Sequence, residues 1–216
     1  DGSLLKELMK TKKILGYGVE INNKKIEECI AKGVPVIKQD IDKGLHEFES
    51  SNFDVSIMAR SIQCLKDPSL ALNRMLKLSK RCVVTLPNLG YWKCRINLAS
   101  GKMPVTPELP SSWYETENIH LCTIEDFESL CKKESIKIKD KVFLNSRGKQ
   151  STVVSMSPNL LATEGVYLLE KEYQAHTVLI YLQLLPVFLL SLFFHLLIYL
   201  LSMERMERRY AFHQDH

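Results

Sequence analysis

No two of the six cysteines (Cys29, Cys64, Cys82, Cys94, Cys122 and Cys131) form a C-x-x-C pair, and their scatter does not resemble a compact disulfide framework. That absence leaves reduced thiols in an intracellular protein as the expectation. The nearest thing to a metal-ligand pair is His120 and Cys122 in "HLC". With no second pair to complete a tetrahedron, no metal is expected, and a packed histidine beside a buried thiol is the simpler reading. Charge of one sign is scarce too: Lys and Arg number 29 against 25 Asp and Glu, and a net +4 is too small to argue for nucleic acid or another polyanion. Lysine clusters such as "KTKK" and "KKESIKIKDK" fall on helix ends and an alternating strand, where a solvated face accounts for them. The N-terminus shows neither a secretory signal nor an initiator methionine. It opens on "DGSLL", an Asp-Gly pair running directly into a helical pattern.

What is present has the balance of a globular protein, with 45% hydrophobic and 25% charged residues, enough for one domain with an appendage. Residues 3–12 place Leu4, Leu5, Leu8 and Met9 on one helical face, and "ILGYGVEI" follows as a β-rich run ending at a carboxylate. "NKKIEECIAKG" repeats the helical period through Ile26, Cys29 and Ile30 and stops at Gly33, before the strand "VPVIKQ". Next come an apolar strand, "FDVSIMA", and a helix, "DPSLALNRMLKLS", with Asp67 as N-cap and Pro68 in its first position. "RCVVTLP" is a further apolar strand. "TIEDFESLCKKES" opens with a capping-box variant, Thr123 and Asp126, and turns Phe127, Leu130 and Cys131 inward. "IKIKDKVFL" and "ATEGVYLLE" close the domain as strands. Apolar strands alternating with helices predict an α/β fold with a doubly wound, mostly parallel sheet covered on both faces.

Ligands of such sheets bind beyond the carboxyl ends of the strands, where helix N-termini offer free N–H groups. Strand-end residues are therefore the candidates. Glu20 stands where a carboxylate can accept hydrogen bonds from a ribose diol, and Asp40 where one can accept from an adenine amino group, with Ile21 and Ile41 flanking the ring. Asp1 and Gly2 stand where a nucleotide-binding turn would hand over to its helix. Ser61, Gln63, Asn88, Tyr91, Trp92, Trp113, Tyr114 and His120 are the candidates for a substrate or partner surface, and no catalytic residue stands out. The irregular stretch between Gly90 and His120 holds both tryptophans and three of the eight prolines. It reads as a lid, a binding surface or a flap over the end of the sheet.

The runs "GYGVEI", "GVPVIKQDID", "TLPNLGYWKCR", "GKMPVT" and "WYETENIHLCTIEDFESLC" resemble the methionine biosynthesis MetW family, a branch of the class I S-adenosylmethionine-dependent methyltransferase (Rossmann-like) fold. The resemblance covers nearly all of residues 1–171. It implies a methyltransferase-like domain there that binds S-adenosylmethionine through Glu20 and Asp40. It also implies that Asp1 and Gly2 end a glycine-rich loop whose strand, the first and central one of the sheet, is missing from this chain. The Glu20 strand and "FDVSIMA" would then have unpaired edges, folding would suffer, and cofactor binding would be impaired or lost. MetW-like proteins accompany the homoserine O-acyltransferase of methionine biosynthesis, acetyl or succinyl, so one reading is a cytoplasmic partner or regulator of that enzyme. The other is an S-adenosylmethionine-dependent methyltransferase acting on an unknown small molecule, since "ARSIQCL" shows no acceptor signature.

From Thr177 to Met203 there is no Asp, Glu, Lys or Arg, and a helix of that length exceeds a hydrocarbon core of ~30 Å. Residues 172–216 thus read as an apolar tail with a candidate transmembrane helix at 177–203, kinked by Pro186. Arg205, Arg208 and Arg209 beyond it, against Lys171 before it, would keep the C-terminus cytoplasmic and export the domain. A membrane anchor, a sequence foreign to the family and a buried core helix all stay open.

Overall fold

A computed structural model describes residues 2–45, 48 and 53–171. In chain order the elements are α1 (Ser3–Lys12), β1 (Gly18–Glu20), α2 (Asn23–Ala31), β2 (Val36–Lys38), β3 (Phe53–Ala59), α3 (Pro68–Leu78) and β4 (Ser79–Pro87). They continue with α4 (Trp92–Ala99), α5 (Ile124–Lys133), β5 (Ile136–Leu144), the short helices α6 (Thr152–Met156) and α7 (Pro158–Leu161), and β6 (Glu164–Lys171). Two 3₁₀ turns, Ile41–Lys43 and Ile62–Cys64, follow β2 and β3.

Helices α2, α3 and α5 start where side chains satisfy their first N–H groups. Asn22 accepts from Lys24 N and Lys25 N at α2, and Asp67 accepts from Leu70 N ahead of Pro68 at α3. Thr123 and Asp126 form a reciprocal capping box at α5. Helix α2 ends before Gly33, whose φ of 70° is a left-handed geometry that glycine adopts without strain. Ile30, read as part of the helical stripe, is exposed, and only Cys29 of α2 is buried.

The strands form two sheets, β1-β2 and β3-β4-β6-β5. β1 pairs with β2 and β3 with β4 in parallel, whereas β6 runs antiparallel to both β4 and β5. The sheet is thus mixed and not mostly parallel. The physical reason is the connection from Leu144 to Glu164, which pair with each other: α6 and α7 return the chain to the end of the sheet that it left.

The core centres on β4, where Cys82, Val84 and Leu86 are wholly buried beneath Leu72, Met75 and Leu76 of α3 and Phe127 and Cys131 of α5. Tyr167 of β6 lies between Phe127 and Phe143, with ring centroids 4.7 and 6.1 Å away, and its hydroxyl donates to Glu128 Oε1 at 3.1 Å. Burying an aliphatic side chain as completely as Leu72 stabilises by about 2 kcal/mol.

The opposite edge of the sheet is bare. Among the described residues β1 pairs only with β2 and β3 only with β4, so each has one edge without a ladder. Val55 and Ile57, alternate residues of β3, remain 45% and 43% exposed, and α1 buries none of its residues. A parallel strand of this apolarity is ordinarily covered on both faces. Among the described residues no helix is long and apolar enough to cross a membrane. The expected transmembrane segment at 177–203, the whole tail 172–216 and Asp1 lie outside the described residues.

Candidate functional site

The carboxyl ends of β1 and β2 come together, because Gln39 N donates to Glu20 O at 3.1 Å. Glu20 Oε1 accepts from the backbone N–H groups of Ile21 and Asn22, both at 2.9 Å, and this turn feeds the cap of α2. Among the described residues its other oxygen, Oε2, has no hydrogen-bond partner and stands as an acceptor at the strand end. Asp40 caps the following 3₁₀ turn through Asp42 N and lies 3.8 Å from Lys43 Nζ. Ile21 is exposed beside them, whereas Ile41 is drawn into the core and its carbonyl accepts from Arg74. Gly2 caps α1 in a left-handed conformation, and a Cβ there would meet Cys29 Sγ at 3.0 Å and Val34 Cβ at 3.4 Å.

A second group of expected residues gathers past β3 and β4. The return leg of the long insertion, Glu117 to Cys122, crosses these strand ends. Glu117 approaches Lys25, in the first turn of α2, at 3.8 Å. Asn118 accepts from Cys64 Sγ, and the N–H groups of Ile119 and His120 both donate to Gln63 O. His120 Nε2 lies 3.3 Å from Lys66 O, while Cys122 Sγ accepts from Gln63, so the "HLC" pair points to separate partners. Gln63 is buried, its amide N donating to Pro87 O, and its Oε1 has no hydrogen-bond partner. Ser61 begins the 3₁₀ turn that Gln63 belongs to.

Asn88 is the most committed of the expected residues. Its side-chain N donates to the carbonyls of Pro158, Asn159 and Ala162, and its Oδ1 accepts from Gly90 N and Ile124 N. With its backbone N–H on Thr163 O as well, Asn88 ties β4, α5 and the α7–β6 junction into one knot and leaves no donor for a substrate. Tyr91 is buried edge-on to Trp92 at 5.7 Å, whereas Trp113 and Tyr114 stand out into solvent against each other.

Arg60 and Glu164 meet at the same end of the sheet, and neither was among the expected site residues. Because β6 is antiparallel, its first residue lies beside Pro87, at the carboxyl end of β4. Arg60 Nε and Nη2 donate to the two oxygens of Glu164 at 2.7 and 2.8 Å, a bidentate fork, and this bond raises the guanidinium pKa further. Arg60 has φ 51°, uncommon for a side chain of this size, and its N–H is held by the hydroxyl and carbonyl of Thr85. The signals available were weak: a cation ending an apolar strand, and an acid beginning another.

Burial favours the protonated thiol at five of the six cysteines. All six are unpaired thiols. Burial pushes Cys82 up to about 11 and Cys131 to about 12, and raises Cys64, Cys94 and Cys122 as well.

The family model for "Methionine biosynthesis protein MetW" matches residues 1–169. The chain belongs to the MetW family. A curated relative, the bifunctional methionine biosynthesis protein MetXA/MetW of Rhodopirellula baltica, is 27% identical over 157 residues. That match takes in 72% of this chain and about a quarter, 25%, of the relative's length. Among solved structures, an S-adenosylmethionine-dependent methyltransferase from Thermotoga maritima aligns with a TM-score of 0.52 at 18% identity, covering 76% of each chain. Another from Archaeoglobus fulgidus gives 0.54 at 17%, covering 79% of this chain and 81% of that one. At such identities these neighbours establish the fold, a class I methyltransferase-like α/β architecture. In this MetW-family domain the sheet end carrying Glu20, Asp40, Gln63 and Arg60 is the end where ligands of such folds bind.

Proposed function

We propose that this MetW-family domain is a partner or regulator of homoserine O-acyltransferase in cytoplasmic methionine biosynthesis and that it binds S-adenosylmethionine when complete. The observation that carries the cofactor reading is a carboxylate at each of two adjacent strand ends, with Glu20 Oε2 unpartnered among the described residues, and so open to a ribose hydroxyl, and Ile21 exposed beside it. Asp40, one strand away, is the acceptor for the adenine amino group. S-adenosylmethionine would supply an electrophilic methyl group where a reaction occurs, and a recognisable end product of the pathway where none does. The regulatory reading is favoured by the polar residues past β3 and β4, because Asn88 and the amide N of Gln63 are spent on holding loops together. The relative that joins MetXA and MetW in one chain supports the partnership.

The second reading, a methyltransferase for a small molecule, draws on one observation: the buried Gln63 Oε1 has no partner and would serve to position an acceptor. One experiment tests both. Homoserine acylation by the acyltransferase of the same organism is measured with and without this chain, and with and without S-adenosylmethionine. A rate that changes with the chain and changes again with the cofactor is expected. An unchanged rate in every combination refutes the partner reading, and labelled methyl transferred to a small molecule would establish the other. Glu20→Gln should weaken cofactor binding about 10- to 100-fold, the range for losing a charge-assisted hydrogen bond.

A further inference from the structure

Three residues other than glycine have a positive φ among the described residues: Lys13, Arg60 and Ser135. Lys13 is the C-cap of α1 and Ser135 follows the C-cap of α5, places where a left-handed residue ordinarily ends a helix. Arg60 follows a strand, where no such stop is required. Its φ of 51° turns the chain aside at the carboxyl end of β3, and backbone of this kind concentrates at functional sites. The fork to Glu164 uses Nε and one hydrogen of Nη2. Nη1 and the second Nη2 hydrogen form the other edge of the guanidinium, a second bidentate face with no partner among the described residues. The buried Glu164 carboxylate thus fixes the plane of a guanidinium that itself reaches solvent.

Two further acceptors stand at this place. Gln63, three residues on, donates to Pro87 O, and Pro87 is the ladder partner of Glu164, so Arg60 and Gln63 converge on the end of β4. Gln63 is 3% exposed and its Oε1 has no hydrogen-bond partner. Glu108 stands at the tip of a tight turn closed by Thr106 and Leu109, with Leu109 buried as its anchor, and it acts through space on the Arg60 guanidinium. Glu164 and Glu108 set two negative charges against one positive. A simple anion such as phosphate would enter negative surroundings, whereas a zwitterion brings a carboxylate for the guanidinium and an ammonium for the spare acid. We propose that the open edge of Arg60, with Glu108 beside it, binds the α-amino-acid end of a small ligand, its carboxylate on the guanidinium and its ammonium on Glu108. The inference rests on the reading that this sheet end takes the domain's ligand, and it adds the ligand's chemical class. A free amino acid such as homoserine and the methionine end of S-adenosylmethionine share that chemistry.

The test uses the full chain with L-homoserine, L-methionine and S-adenosylmethionine as probes, affinity read by calorimetry and the Arg60 Nε–H resonance by NMR. At least one probe should bind and shift that resonance. Removing one charge from a free amino acid, as its carboxamide or its N-acetyl derivative, should weaken binding about 10- to 100-fold, the range for one charge-assisted hydrogen bond. Glu108→Gln should weaken the parent probe about 10-fold while leaving the melting temperature and the affinity of the N-acetyl derivative unchanged. Binding of the free amino acids supports a site separate from the cofactor's. Binding of S-adenosylmethionine alone, lost with 5′-methylthioadenosine, supports the same contacts made by the cofactor's own amino-acid end. Equal affinity for those two nucleosides, with no response to the free amino acids, overturns the proposal and leaves the cofactor reading standing. No binding of any probe, or a carboxamide that binds as well as its parent, also overturns it. The acylation assay is read separately, so the partner reading stands or falls on its own result.

Discussion

Replacing Arg60 by Gln should cost far more than the loss of a surface ion pair. Its fork holds both oxygens of Glu164, whose side chain retains only 12% of its exposure, while Arg60 keeps 51%. Exposed pairs contribute ~0.2–1 kcal/mol, and stranding a wholly buried charge costs ~3–5 kcal/mol. With one partner buried and the other screened by solvent, the expected loss is about 2 kcal/mol, between those limits. For a domain of this size that lowers the melting temperature by ~4–8 °C, measured by circular dichroism or calorimetry. Gln should tolerate the left-handed backbone at this position about as well as Arg, so the loss reports on the side chain. Glu164→Gln should cost less, since it strands no charge, and adding it to Arg60→Gln should recover part of the loss. The coupling expected from the double-mutant cycle is about 1–2 kcal/mol. Single effects that add to within ~0.5 kcal/mol would show that the two groups are not coupled and refute the argument.

Stability should fall at alkaline pH. Cys82 and Cys131 titrate near 11 and 12 when folded, and Tyr167 is raised by burial and by Glu128, so above pH ~9 the unfolded chain holds fewer protons than the folded one. Each such group costs up to ~1.4 kcal/mol per pH unit; urea midpoints that stay flat from pH 8 to 10.5 would contradict the burial of these groups. Asn88→Ala should destabilise by about 3 kcal/mol or more, because it leaves two buried N–H groups and three carbonyls without their partner; a loss under ~1 kcal/mol in urea unfolding would mean that water takes its place. Thr123→Ala removes one arm of the capping box and should lower the melting temperature by ~2–4 °C, from a cap worth ~1 kcal/mol.

The elements legible in the sequence were those with local causes. The span of β3, the Asp67 cap with Pro68, the Thr123–Asp126 box and the span of β5 all follow from residues within one turn or one strand of each other. The place of β6 between β4 and β5, and its direction, depend on pairings that no local pattern encodes, so a mostly parallel sheet was expected where a mixed one stands. The candidate site divides in the same way. Glu20 ends β1 and Asp40 follows β2 by two residues, a placement legible in the short β-rich runs that precede each of them. Asn88 and Gln63 occupy the expected places, but their side chains turn inward to loops that fold back from 119–124 and 158–163. Arg60 and Glu164 are 104 residues apart, beyond the reach of any spacing rule.

The order of synthesis differs from the order of the sheet. Strand β6, the last described strand to be made, is the one that lies inside, and Pro87 waits for Glu164 before that flank of β4 is paired. At ~5–20 residues per second, the 76 residues between them take ~4–15 s to translate. During that interval β4, the most deeply buried strand of the finished domain, would be the stickiest surface on the nascent chain. Conditions that slow translation between Asn88 and Thr163 should therefore lower the yield of folded protein without altering its final stability.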